Sequence, residues 1–320
     1  MSPAPPPAFS FSRLAGTALG TMCGDALGMP VEGWTPQAIR QAHGRLDRFL
    51  PGRLPAGNYT DDSEMMLALL ESLVLCQGLD PADLAQRFAA NFDPRRGYGA
   101  RIFGVVERIR AGMAWDQVGT DSFGNGAAMR VGVLGAYFAP DEETLLPAAL
   151  DQGRITHQHP QGLAGAAAQA LAVGLACRLG AAGQARDQAA FVVHLAARVA
   201  AVDAHTAARL AALPPLAGLG EDAARARLSG EYTCDVTAPE SVPPALGSFL
   251  WADSAADAIV LAVSLGGDTD TIGAMAGALA GAYWGVENLP PRWLKTLEDG
   301  PRGASLAREL AKRPFHPKSG

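Results

Sequence analysis

Aromatic residues make up only 7% of this 320-residue sequence, and charged residues only 18%. Strand-like alternation of apolar and polar positions is scarce, while Ala and Gly are abundant. A β-sandwich wants β-branched and aromatic residues, so closely packed helices fit better. There is no basic block: Lys and Arg total 26 against 32 Asp and Glu, a net charge of −6. That excludes a general nucleic-acid binder, and any anionic ligand would need local devices to hold it. No CxxC pair occurs. Cys23, Cys76, Cys177 and Cys234 are scattered, which reads as buried thiols in a reducing cytoplasm and not as a disulfide framework. No basic stretch followed by an apolar run opens the chain. Residues 1–12 are Pro-rich and read as a flexible arm, leaving 13–320 as a single domain.

What is present is apolar: 48% of the residues, enough for a sizeable core and too much for disorder. Two long apolar stretches, 163–179 and 258–284, invite a membrane reading. The second carries Asp268 and Asp270, each costing about 2.5–3.5 kcal/mol to insert at a helix centre. The first is rich in Ala and Gly, which drive insertion weakly. Both are expected to be core helices, with no membrane partner. A 3.6-residue period follows Asp61 through Leu67, Leu70 and Val74, and recurs at Leu84, Phe88 and Phe92 and again at Ile102, Val105, Val106 and Ile109. Further helical runs cover 189–202, 255–263 and 271–284. The Pro/Gly clusters at 51–57, 213–220 and 239–247 read as loops. Segment 218–244 fits no pattern. The fold class expected is all-α, a compact orthogonal multi-helix bundle.

Two acidic motifs stand out. Tyr59-Thr60-Asp61-Asp62-Ser63-Glu64 leads into an apolar helix; Thr60 as an N-cap with acids at the positive helix end would explain it without any ligand. Ser264-Leu265-Gly266-Gly267-Asp268-Thr269-Asp270-Thr271 is harder to dismiss. It lies between two apolar helices and would start its helix deep in a core, where carboxylates are costly unless paired or bound to metal. Thr60, Asp61, Asp62, Asp268, Asp270 and Thr271 are all hard oxygen donors without Cys or His, a set suited to Mg²⁺ or Mn²⁺. Adjacent aspartates at a helix start point about 100° apart. Asp61 and Asp62 are therefore placed to serve two neighbouring metals, with the second motif clamping from the other side.

Weaker signals accompany these. Ser122-Phe123-Gly124-Asn125-Gly126 before a helical run is either an anion cradle or a plain turn. Arg96-Gly97-Tyr98-Gly99 is another Gly-rich helix start. His157-Gln158-His159-Pro160 reads as a loop or helix cap before a metal site. Gly24-Asp25-Ala26-Leu27-Gly28-Met29-Pro30-Val31-Glu32 reads as a helix ending at Gly28 with Glu32 on a loop.

Taken together, GDALGMPVE, YTDDSEM, SFGNGAAMR, THQHP and SLGGDTDTIGAMAGALAGAYWG resemble, in this order, the ADP-ribosylglycohydrolases, from about Phe11 to Trp284. The RGYGA and SFGNGAAMR stretches look closer to the branch acting on serine-linked ADP-ribose and poly(ADP-ribose) than to the arginine-specific branch. The resemblance implies an all-α bundle with a two-magnesium centre in a central cleft. It implies hydrolysis of the C1″ bond of ADP-ribose on a serine or arginine side chain, and makes ADP-ribose and ADP-ribosylated proteins the expected partners of a monomer. It implies Thr60, Asp61, Asp62, Asp268, Asp270 and Thr271 as ligands of two Mg²⁺ or Mn²⁺, and Gly99, Ser122, Gly124, Asn125 and His157 as ADP-ribose contacts. Phe123 would neighbour the diphosphate or ribose. Glu32 would be a mobile-loop glutamate that gates the site or helps catalysis, with Glu32 or Asp62 delivering a proton. A catalytically silent ADP-ribose-binding relative and a different two-metal phosphohydrolase remain as alternatives.

Overall fold

The structure, a computed structural model, describes residues 10–313. Among them are α1 (Phe11–Gly28), α2 (Pro36–His43), α3 (Asp61–Cys76), α4 (Pro81–Asn91), α5 (Ala100–Arg110) and α6 (Gly126–Met129). There follow α7 (Gly132–Tyr137), α8 (Glu142–Arg154), α9 (Pro160–Ala181), α10 (Gln188–Val199), α11 (Ala204–Ala211) and α12 (Glu221–Glu231). The last are α13 (Ala238–Trp251), α14 (Ala255–Val263), α15 (Thr269–Trp284), α16 (Pro291–Thr296) and α17 (Ala304–Lys312). No β-strand occurs among the described residues, so the all-α expectation holds.

The pair that organises the rest is α1 against α15, and glycine makes it. Gly16, Gly20 and Gly24 recur every fourth residue on one face of α1. A Cβ at each would sit 2.4, 2.1 and 1.9 Å from the carbonyl oxygens of Gly281, Gly277 and Gly273. The two backbones therefore touch, antiparallel, at a separation only glycine allows. The register places the C-terminal end of α1 on the N-terminal start of α15, with Gly28 against Thr269 and Asp270. Asp25 of α1 in turn accepts hydrogen bonds from Thr60 N (3.0 Å), Ser63 N (3.1 Å) and Ser63 Oγ (2.6 Å), fixing the start of α3 to the same spot. Two acidic motifs more than 200 residues apart thus meet at one end of α1.

The apolar stretches are core. Helix α9 is long and apolar enough to cross a membrane, yet 78% of its apolar window is buried, and α15 is buried from Thr269 to Ala282. Cys23, Cys177 and Cys234 are buried free thiols; Cys76 is only half-buried, at the end of α3.

Two boundaries need correction. Residues 239–247, expected as a loop because of their prolines, lie inside α13. Pro239 sits in the first turn, where its missing N–H costs nothing. Pro243 and Pro244 break the local rule, but nearly all of α13 from Ala238 to Phe249 is buried, and that packing overrides the breakers. The obscure segment 218–244 becomes α12, a buried turn at Cys234 and the start of α13. Helix α1 begins at Phe11, capped by Ser10, so Phe11 and Ser12 are helical; the rest of the proposed arm, 1–9, lies outside the described residues.

Candidate active site and metal centre

One cavity of about 520 Å³ collects nearly every candidate residue. Glu32, Asp61, Asp62, Asp268, Asp270 and Thr271 line one part; Gly99, Ser122, Phe123, Gly124, Asn125 and His157 line another. Thr60 is the exception. It is fully buried at the N-cap of α3, directly before the lining residues Asp61 and Asp62, its Oγ1 accepting from Asp62 N at 3.3 Å.

At the acidic end, Asp268 and Asp270 stand at the start of α15. The Gly266-Gly267 turn before them has φ of 76° and 70°, a conformation that favours glycine. A Cβ at Gly267 would meet the Cys234 carbonyl oxygen at 2.1 Å. Asp268 accepts from Asn125 Nδ2 at 2.6 Å. Asp270 accepts from Thr271 N at 3.0 Å and from an Arg53 guanidinium nitrogen at 3.1 Å. Arg53 also pairs with Glu32. One carboxylate oxygen each from Glu32, Asp268 and Asp270 lie within 4.8 Å of one another. Glu32 itself is exposed, but the chain just after it is fastened: Gly33 N donates to Gly267 O (2.8 Å) and Gly267 N to Trp34 O (3.0 Å).

The electrostatics of this end are those of a cation site. Burial, then repulsion from Asp270, raises Asp61 well above the usual carboxylate range; burial, then Asp25 and Asp270, does the same to Asp62. Burial also raises Asp268 and Glu32, the latter opposed by Arg53. Asp62 Oδ2 is buried with no hydrogen-bond partner among the described residues. An orphaned carboxylate oxygen among mutually repelling acids fits an all-oxygen divalent cation site of the Mg²⁺ or Mn²⁺ kind.

The other end carries no carboxylate wall. Arg96 holds the Gly97–Gly99 loop through Glu298 (2.7 and 2.8 Å) and Tyr59 O (2.8 Å), and Tyr98 OH donates to Glu64 at 2.5 Å. In the Ser122–Gly126 loop, Gly124 N donates to Ser122 Oγ (3.2 Å) and Asn125 N to Val236 O (2.9 Å), so those two amides hold the loop. Phe123 is exposed at the rim, edge-on to His159. His159 caps α9, accepting from Gln161 N at 3.2 Å, while His157 is buried and faces the cavity. Arg101 and the fully buried Arg130 also border this end.

Three residues here escaped sequence reasoning: Asp25, Arg53 and Arg130. Asp25 and Arg130 did leave a signal, each being the lone charge in an otherwise apolar or small-residue run. Arg53, in a Pro/Gly-rich loop, left none.

The chain matches the ADP-ribosylglycohydrolase family over residues 6–319 and belongs to that family. It is 32% identical to the ADP-ribosylhydrolase ARH3 of Bos taurus over 342 residues, covering 94% of this chain and 93% of that protein. It is 33% identical to the ADP-ribosyl-[dinitrogen reductase] glycohydrolase of Rhodospirillum rubrum over 294 residues, covering 89% and 90%. A solved structure of an ADP-ribosylglycohydrolase-related protein complex superposes with a TM-score of 0.73 at 28% identity, covering 95% of this chain and 98% of that one.

Proposed function

We propose that this protein hydrolyses the C1″ glycosidic bond joining ADP-ribose to a serine or arginine side chain, releasing ADP-ribose. The observation that carries this reading is the single cavity with buried carboxylates at one end and a glycine-rich, histidine-bearing wall at the other. Two divalent cations, Mg²⁺ or Mn²⁺, would be held by Thr60, Asp61, Asp62, Asp268, Asp270 and Thr271, with Glu32 within reach of the Asp268–Asp270 pair. When bound, they would orient the distal ribose hydroxyls and activate water. The protein's own groups do the rest. Glycoside cleavage passes through an oxocarbenium-like state and needs a proton on the leaving side-chain atom. Glu32, with its raised pKa and partial exposure at the cavity mouth, is the residue placed to deliver it; Asp62 is buried deeper and suits cation binding. Ser122, Asn125 and His157, with Gly99 and Gly124 giving close backbone approach, would receive the diphosphate. Phe123 would cover its ribose or diphosphate side.

The decisive assay is release of ADP-ribose from arginine-, serine- and O-acetyl-linked substrates, with and without EDTA. The Gly97–Gly99 and Ser122–Gly126 stretches favour the serine linkage. Inorganic phosphate or a nucleoside monophosphate as product would identify a two-metal phosphohydrolase instead. ADP-ribose binding without turnover on any substrate would identify a silent relative, against which both intact acidic motifs and Glu32 argue.

A further inference from the structure

Arg130 is fully buried and forms no ion pair among the described residues. Its guanidinium donates to neutral oxygens: Gln152 Oε1 (2.8 Å), Gln152 O (2.9 Å), Gly126 O (3.0 Å) and Thr156 Oγ1 (2.9 Å). It lies 4.8 Å over the Phe88 ring. A buried cation without a carboxylate is expensive, so its retention calls for a use. The path from it leads to the cavity. Thr156 Oγ1 lies 2.7 Å from His157 Nδ1 and 3.5 Å from Gly153 O.

A hydroxyl has one hydrogen. Arg130 can only donate, so it occupies an acceptor position on Thr156 Oγ1. The hydroxyl hydrogen then goes to the nearer acceptor, His157 Nδ1, because the alternative at 3.5 Å is at the limit of a hydrogen bond. That makes Nδ1 an acceptor and leaves the ring proton on Nε2. The ring is wedged: a Cβ at Gly162 would meet His157 Cδ2 at 3.1 Å, and one at Gly126 would meet Cε1 at 3.1 Å. Nε2 has no partner among the described residues and borders Gly124 on the cavity wall. Burial, then the charges of Arg130 and Arg101, keep the imidazole neutral at physiological pH.

We infer that Arg130, acting through Thr156, locks His157 in the neutral Nε2–H tautomer so that it donates one hydrogen bond into the cavity to an anionic oxygen. Arg130 and Thr156 are thus positioning residues for an anion-recognising donor. The choice of oxygen, one on the ADP-ribose diphosphate, rests on the function proposed above; the tautomer does not. The arrangement also explains how a donor can serve this end of the cavity when two amides of the Ser122–Gly126 loop are already engaged.

The test is a long-range ¹H–¹⁵N spectrum of ¹⁵N-histidine-labelled full-length protein, with the His157 signals identified by their loss in His157→Gln. The inference expects a pyrrole-type Nε2 and a pyridine-type Nδ1 before any ligand is added. The reverse assignment, or a doubly protonated ring at pH 7, overturns it. Thr156→Val should let the tautomers mix and weaken ADP-ribose binding about tenfold, the scale of one lost hydrogen bond. Thr156→Ser, which keeps the hydroxyl and covers the case where the valine variant fails to fold, should restore both readings. Loss of the Nε2–H signature in the serine variant would overturn the lock. ADP-ribose that binds without moving the Nε2 resonance would overturn the donor role. If ADP-ribose fails to bind at all, the proposed function falls, and the ligand-free spectrum still decides the tautomer.

Discussion

At the Asp268 end of the cavity the lining groups are carboxylates; at the Gly124 end they are a hydroxyl, an amide side chain and a neutral imidazole, with Arg101 and the buried Arg130 also at this end. Burial acts on both ends, but the neighbouring charges differ in sign. It pushes Asp61, Asp62, Asp268 and Asp270 up, with repulsion from other aspartates adding to it at Asp61, Asp62 and Asp270 and from Glu32 at Asp268, and pushes His157 down, with two arginines adding to it. On the function proposed above, one end would be neutralised by cations and the other would receive an anion. That division would let a protein of net charge −6 hold an anionic ligand, because the carboxylates lining the cavity are gathered at its far end.

The largest effect should come from breaking the acidic end. Asp62→Ala or Asp270→Ala is expected to reduce ADP-ribose release to background, with the double variant hardly worse, because the carboxylates act as a unit. Mg²⁺ or Mn²⁺ should raise the melting temperature of the wild type by mass action and leave both variants nearly unchanged. Multiplicative losses of activity would mean that the acids work independently. Next is Glu32→Gln, expected to lower kcat by about 10²-fold while preserving fold and ADP-ribose affinity. Turnover near the wild-type rate would return Glu32 to the role of an exposed partner for Arg53.

At the neutral end, Gly124→Val should weaken ADP-ribose binding about tenfold by isothermal titration, with the metal-induced melting shift intact. A Cβ there meets Ser122 Oγ at 3.3 Å and Val236 O at 3.4 Å, so the side chain intrudes on the cavity more than on the fold. Gly24→Ala makes the contrast: its Cβ would lie 1.9 Å from a backbone oxygen of α15, and the expected result is gross loss of stability. Equal affinity in Gly124→Val would remove this loop from the binding wall.

Much of this was readable from the residues. Periodicity located α3, α5, α9, α14 and α15 to within a few positions, because each buries an apolar face that outweighs its ends. The two acidic motifs were readable because carboxylates between apolar runs have few innocent explanations. Three things were not. Proline inside α13 defeated a local rule, since tertiary burial decided the outcome. The i, i+4 glycines of α1 and α15 gain meaning only when the two helices are paired. Asp25 and Arg130 are single charges whose roles depend on partners 35 and 26 residues away, Thr60 and Thr156, and no spacing rule connects them.

The smallest expected effect separates the two ends by pH. In the metal-free protein, burial together with neighbouring aspartates raises Asp25 and Asp270 to about 7. In the unfolded chain the same groups titrate near 3.9. Between about pH 4 and 7 the folded state therefore holds more protons than the unfolded one, and stability must fall as pH rises through that window, levelling off above it. His157 contributes in the opposite sense over part of the range. Its folded pKa is lowered to about 3, so between about pH 3 and 6.5 only the unfolded state binds that proton, and the folded state gains as pH rises through that window to the extent of one group. That single opposing contribution reduces the fall without reversing it. Urea unfolding in EDTA should therefore show stability lower at pH 7.5 than at pH 5 by roughly 1–3 kcal/mol. Saturating Mg²⁺ or Mn²⁺ should abolish the decline, because the cation displaces those protons and binds more tightly as pH rises. Stability that climbs with pH in EDTA would show that the aspartates are ionised without a cation, and the contrast between the two ends would then rest on geometry alone.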